Sequence, residues 1–168
     1  NGGIFIHTQP WAVMAYAMLG KGDRAYEVLR SFMPAAYNEK AEIREIEPYV
    51  VCQSTHSDNS PKHGKSRVPW LSGSATWLYY AITQYIFGVR PEYDGLIIDP
   101  CIPSKWDGFE VQRKFRGSLL NIKVFNPQHV QYGVSELKLD DEVMQSNFIP
   151  EALLQRSHQI EVVMGRKD

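Results

Sequence analysis

The chain has 168 residues, of which 43% are hydrophobic and 12% aromatic, and a formal net charge of −1. That apolar content supports a real core and excludes a disordered chain, while the near-neutral charge gives no footing for nucleic acid or an anionic membrane surface. No apolar run reaches membrane-spanning length and no signal peptide is visible, and Cys52 and Cys101 lack metal-ligand spacing. The expectation is a cytoplasmic protein with neither metal nor disulfide framework.

Residues 1 to about 90 read as helical. Trp11, Met14, Ala15 and Met18 fall at i, i+3, i+4 and i+7, one face of a first helix that Pro10 opens and Gly20 ends. Asp23 caps a second helix with Ala25, Val28, Leu29 and Phe32 on its face, and Pro34 stops it. The short Gly20–Asp23 link makes the two antiparallel neighbours. Residues 54–67, STHSDNSPKHGKSR, are polar and turn-rich and read as a long exposed loop. A third helix is expected from about Ala75 to Phe87, apolar around much of its girth and therefore deeply buried through Trp77, Ile82 and Tyr85.

After Pro91 the period changes to two. Leu96–Ile98 is a short buried-strand candidate, and alternation marks further strands around Phe109–Val111, Leu120–Val124, Val130–Val134, Leu137–Leu139 and Ile160–Val162. Several short alternating strands with turns between them suggest an antiparallel, sandwich-like unit. The division expected is helical residues 1–92 and a β-domain at 93–168.

The stretch Trp70–Trp77, WLSGSATW, carries small polar residues into an apolar run. It reads either as a capped corner, with Ser74 as the N-cap, or as an anion site where a helix N-terminus, a glycine and serine hydroxyls converge. His7 precedes the first helix in HTQPW, either as a cap-region histidine or as a ring aimed at the same place. Glu47, Tyr49 and Gln53 in EIEPYVVCQ form either a clamp for a hydroxyl-rich ligand or part of an extended segment. His56 and His63 read as solvated loop residues, and His129 and His158 as surface residues of the strand half. No Walker A loop, dinucleotide fingerprint, HExxH or serine-nucleophile elbow is present.

NGGIFIHTQPWAVMAYAMLGKGDRAY, EPYVVCQ, HGKSRVPWLSGSATW and GVRPEYDGLIIDPCIPSKWDGFEV, in that order, resemble the C-terminal part of the inverting disaccharide phosphorylases of glycoside hydrolase family 94. The resemblance runs from residue 1 to about 125 and continues more weakly beyond. It implies the last helices of an (α/α)6 toroid followed by a C-terminal β-domain. It implies cleavage of a β-linked glucosyl disaccharide or oligosaccharide by inorganic phosphate, with inversion, to an α-sugar 1-phosphate. No cofactor is implied, phosphate being a substrate, and the full-length enzyme is expected to be a homodimer. By resemblance phosphate is held by His7, Ser72 and Gly73, with Gln53 a further residue of the site. The acceptor is left open among cellobiose, longer cellodextrins, laminaribiose, chitobiose and cellobionate.

The family usually has threonine where this chain has Ser72 and Ser74, which keeps the hydroxyl and removes the methyl that fixes its rotamer. The general-acid aspartate and a phosphate-binding arginine of full-length members lie upstream, so no catalytic residue is assigned here. A chain resembling about the last fifth of such an enzyme is not expected to catalyse alone. Two other readings stand beside this one: a non-catalytic carbohydrate-binding module built on the β-half, and part of a toroid-fold glycoside hydrolase that uses water.

Overall fold

A computed structural model describes residues 2–166. Strand β1 (Gly3–Phe5) runs through a 3-10 turn (Ile6–Thr8) into helix α1 (Gln9–Met18), and α2 (Gly22–Phe32) packs against α1. Pro10 lies in the first turn of α1, where its missing N–H costs nothing, and Gly20 takes a left-handed φ of 67° after the helix end. The stripe expected on α2 is present: Ala25, Leu29 and Phe32 are buried. The face expected on α1 is displaced. Pro10, Val13 and Ala17 are the buried residues, whereas Trp11 is 45% and Met18 75% exposed. Apolar residues surround α1, so spacing alone could not choose between two faces.

Asp23 does not cap α2, which begins at Gly22 with Lys21 in the cap position. Its carboxylate instead accepts from the backbone N–H and the hydroxyl of Ser104, while its own N–H donates to Gln131 Oε1 at 3.0 Å. One orphan N–H in the first turn of α2 is thus satisfied by a residue from the strand half. Gly22 permits this approach, since a Cβ there would lie 2.0 Å from Ile102 O.

A 3-10 segment (Pro34–Lys40) and the short α3 (Ala41–Arg44) lead to a hairpin of β2 (Ser54–His56) and β3 (Ser66–Arg67). The polar stretch 54–67 is therefore not a free loop. Its two ends pair, and β2 pairs with β1 in a three-stranded antiparallel sheet of order β1-β2-β3. Helix α4 (Ser74–Tyr80) widens into a π-helical run, Ala81–Ile86. Burial here is also narrower than expected. Leu78, Ala81 and Ile86 are buried, Trp77, Ile82 and Tyr85 are half-buried, and Tyr79 is 70% exposed.

Strands follow from Val89: β4 (Val89–Pro91), β5 (Gly95–Ile98), β6 (Gly108–Phe115), β7 (Ser118–Phe125), β8 (Val134–Leu139), β9 (Glu142–Val143), β10 (Phe148–Pro150) and β11 (Ser157–Met164). Three form an antiparallel sheet of order β10-β5-β4, and five form a sheet of order β6-β7-β11-β8-β9. The larger sheet is mixed rather than antiparallel throughout, because β11 inserts between β7 and β8 and runs parallel to β7. Of the expected run Val130–Val134, only a single bridge from Tyr132 to Cys101 precedes β8.

The alternation read from the sequence sets the buried face: Leu120, Ile122 and Val124 on β7, Ile160, Val162 and Met164 on β11. His158 shares that parity, so it is buried and not a surface residue. Its Nδ1 lies 2.6 Å from the Asp140 carboxylate, and Nε2 accepts from Gln155 N–H at 3.3 Å. The opposite face carries the row Glu110, Lys123, Glu161 and Lys138, in register across four strands and alternating in charge. One buried cluster runs from Val13 and Leu29 to Ile160 and Val162. No helix is long and apolar enough to cross a membrane among the described residues.

Candidate functional site

His7 and Gly73, sixty-six positions apart in sequence, are in contact. A Cβ on Gly73 would stand 2.8 Å from His7 Cε1, 3.4 Å from Nδ1 and 3.5 Å from Nε2. Gly73 has φ −70° and ψ −3°, which any residue adopts, so the glycine is explained by space and not by backbone conformation. The missing side chain leaves room for the imidazole at the start of α4. Aromatic rings hold the imidazole in place. Phe5 stacks on it at 5.7 Å with an interplanar angle of 2°, Trp11 meets it edge-on at 5.9 Å, and Trp77 lies at 6.4 Å. Trp11 and Trp77 also contact each other edge to face at 5.6 Å. Neither ring nitrogen of His7 has a hydrogen-bond partner among the described residues.

Ser74 is the first residue of α4 and not its cap; Gly73 occupies the cap position. Ser74 is fully buried, and its hydroxyl lies 2.6 Å from Ser72 Oγ, which also accepts from Ser74 N–H at 3.0 Å. A hydroxyl oxygen has two lone pairs and one proton. Either oxygen can donate in the hydroxyl pair; where Ser74 donates, both lone pairs of Ser72 are used and its proton is left for a ligand. The half-buried Ser72 places its hydroxyl beside a helix N-terminus and a histidine. Such a cluster suits an oxyanion.

Gln53 is close by but in a different layer. Its carbonyl accepts from Ile6 N–H at 2.8 Å, and its N–H is shared between Arg67 O and Val68 O at 3.1 and 3.2 Å. These bonds lock it between the exit of β1 and β3, and it lines a cavity with Phe5 rather than touching Gly73. The proposed clamp of Glu47, Tyr49 and Gln53 does not form. Glu47 accepts from Trp70 Nε1 at 3.3 Å, and Tyr49 meets Trp70 edge-on at 6.1 Å. His63 is exposed, and His56 is half-buried with Nδ1 2.9 Å from Ser60 Oγ.

Two backbone outliers lead into the serine pair: Val68 at φ 49° and Trp70 at φ 66°. The left-handed region is unfavourable for a β-branched or bulky side chain, and such strain gathers at functional sites. No residue-type signal announces it, so Val68 and Trp70 could not be found from the sequence. The cysteines contribute nothing to chemistry here. Both are buried, and burial, reinforced by Asp99 and Asp23, pushes the Cys101 thiol up to about 12.

A model of the glycosyl hydrolase 94 superfamily catalytic domain matches residues 1–88, more than half of the chain. The chain belongs to that superfamily. A model of the glycosyl hydrolase family 65 C-terminal domain matches residues 89–143. Among its superfamily relatives, an N,N'-diacetylchitobiose phosphorylase of Vibrio proteolyticus is 42% identical over 165 residues, covering 98% of this chain and 20% of that protein. One from Vibrio furnissii is 42% identical over 166 residues, with the same coverage. A solabiose phosphorylase of Paenibacillus borealis is 27% identical over 164 residues, 98% of this chain and 21% of that protein. The chain thus spans about a fifth of the length of these relatives.

Proposed function

We propose that the polypeptide carrying this segment is an inverting disaccharide phosphorylase, and that His7, Ser72 and Gly73 hold its phosphate, with Gln53 a neighbouring residue of the same cleft. The observation that carries the reading is the seating of the His7 ring against Gly73 beside the Ser72 hydroxyl, which accepts from Ser74 N–H and pairs with the Ser74 hydroxyl. Water as nucleophile needs no such cradle, which disfavours a hydrolase. In the proposed reaction a phosphate oxygen forms a bond to the anomeric carbon as the glycosidic C–O bond breaks. A general acid outside this segment gives its proton to the leaving sugar oxygen. Imidazole N–H, serine O–H and the α4 terminus oppose the phosphate charge and fix one oxygen in line, so their contribution is positioning and electrostatics. No cofactor is needed, because phosphate is consumed and appears in the sugar 1-phosphate.

The proposed architecture has residues 1–92 as the last helices of a toroid and 93–168 as a β-domain packed against them. For the sugar, the names of the two relatives at 42% identity favour a β-linked N-acetylglucosaminyl disaccharide over the glucosyl one that the motifs alone imply. A homodimer and a cytoplasmic location are part of the same reading. The test is steady-state phosphorolysis of N,N'-diacetylchitobiose and of cellobiose by the full polypeptide, with phosphate varied. His7→Ala and Ser72→Ala should each raise the phosphate KM roughly ten- to a hundredfold, the worth of one charge-assisted hydrogen bond. Unchanged phosphate dependence in both variants would remove these residues from the site.

A further inference from the structure

Five polar residues are buried among the described residues, Ser66, Ser74, Ser118, Asn126 and His158, and only the last carries a group that changes charge near neutral pH. His158 is the second residue of β11 and points to the inward side of the sheet, where a charge is costly unless it is paired. Both of its ring nitrogens are engaged. Nδ1 stands 2.6 Å from Asp140 Oδ2, and Nε2 accepts from Gln155 N–H at 3.3 Å.

These partners fix where the protons are. A carboxylate oxygen only accepts, so Nδ1 carries the proton; a backbone N–H only donates, so Nε2 carries the lone pair. The ring is therefore the neutral Nδ1–H tautomer. Asp140 is held in this pose, because its other oxygen accepts from Gln159 N–H at 2.9 Å. A second proton on Nε2 would meet the Gln155 N–H donor to donor. It can enter only as that N–H moves away, so protonation of the ring and opening of the Gln155 contact are one event.

The contact sits in the link that joins the two sheets of the strand half. On one side, β10 pairs with β5 of the small sheet, and Glu151 N–H donates to Asp94 O at 2.8 Å. On the other side β11 belongs to the large sheet. Between them Leu154 is pinned, its carbonyl accepting from the buried Ser118 hydroxyl at 2.7 Å. Gln155 N–H has no acceptor other than His158 among the described residues. The charges around the ring are few. Asp140 faces it from the β8–β9 turn, with Asp141 beside it, and Arg156 acts on the Asp140 carboxylate from the link itself. Arg113 of β6 shares the face through Leu120, but its guanidinium donates to Val89 O at 2.9 Å, and Glu151 is engaged by Arg116. Asp140 is thus the group that stabilises a charged ring, and Gln155 the group that opposes it.

We infer that His158 is a proton-operated latch: neutral, it pins the link between the two sheets through Gln155, and protonated, it releases that link while keeping its bond to Asp140. Hydrogen exchange of the full polypeptide, resolved to single amides, tests this between about pH 8 and about pH 5, the range over which imidazole changes charge. After correction for the pH dependence of unstructured amides, protection at Gln155 should fall roughly three- to tenfold on acidification, the worth of one hydrogen bond. Ile160 and Val162 in the same strand should hold theirs. His158→Gln keeps an acceptor and does not titrate, so the pH dependence at Gln155 should vanish. Asp140→Asn should reverse the tautomer. Its one oxygen is committed to Gln159 N–H, its amide NH2 faces Nδ1, and the ring proton moves to Nε2, so Gln155 should be unprotected across the whole range. Thermal melts should show that each variant folds. Protection at Gln155 that is indifferent to pH in the wild type, that falls equally in His158→Gln, or that survives in Asp140→Asn would overturn the inference. So would an equal loss along the whole of β11, which reports general loosening and no latch.

Discussion

The strand half and the helical half handle their apolar side chains in opposite ways. In β7 and β11 the inward residues are at most 6% exposed, and the outward face of the sheet is a row of paired charges. In the helical half Trp11, Met18, Leu19, Tyr79 and Leu71 all stand 45% exposed or more. A strand finds its buried face within its own sheet, a few residues from the partner that covers it. A helix takes its face from whichever elements dock on it, and α1 is apolar on more sides than the described residues cover. Burial in the two halves therefore responds to different things, pleat parity in one and docking in the other.

The widest contrast is expected between core truncations. Ile160→Ala should cost about 2–5 kcal/mol, since the site is 1% exposed and held on both sides by β7 and β8. Met18→Ala, at 75% exposure, should stay within about 0.5 kcal/mol. Urea unfolding of both variants measures this, and comparable losses would erase the distinction between the halves. A smaller but still large effect is expected where the halves meet. Gly88 has φ 67°, and a Cβ there would lie 2.0 Å from Asp99 O. Gly88→Ala should lose about 2–4 kcal/mol from left-handed strain plus backbone overlap. A melt unchanged from wild type would mean that the junction yields freely.

The mildest prediction concerns acid. The Asp140 carboxyl is held below the usual carboxylate range, first by the Gln159 backbone N–H and then by His158. A depressed folded value means stability that is present above the unfolded carboxylate range and is lost as pH falls through the folded value. Asp140 is largely solvated, so the effect should be small and salt-sensitive. Thermal melts across the acid range should show a shallower decline in Asp140→Asn than in wild type; identical slopes would assign the acid sensitivity elsewhere.

These differences also explain what could be read ahead of the structure. The α2 stripe and the parity of β7 and β11 are local patterns, and they identify the buried apolar residues apart from the half-buried Val28, while the polar His158 on the same parity reads from the sequence as a surface residue. The face of α1, the pairing of 54–56 with 66–67 and the parallel β7–β11 contact depend on distant partners, and no local period encodes them. Within the candidate site, Ser72-Gly73 stands out because small polar residues interrupt an apolar run, and His7 through the family resemblance; the structure brings His7 and Gly73 into contact. The cavity that Gln53 lines beside them does not stand out, because Arg67, His56 and Phe5 become neighbours only through a register that a polar stretch conceals.

The placement of β11 governs the order in which the strand half comes together. Hairpins β6–β7 and β8–β9 are each contiguous in the chain and close early, but they share no ladder with one another. The strand that joins them arrives last, from residues 157–164, and takes the central position. Until it does, β7 and β8 each present an unpaired edge backed by alternating aliphatic residues, the geometry that recruits strands from other molecules. The interval belongs to ribosomal synthesis, when β7 and β8 are made before residues 157–164 emerge, and a holdase that shields strand edges would raise the yield of native protein there.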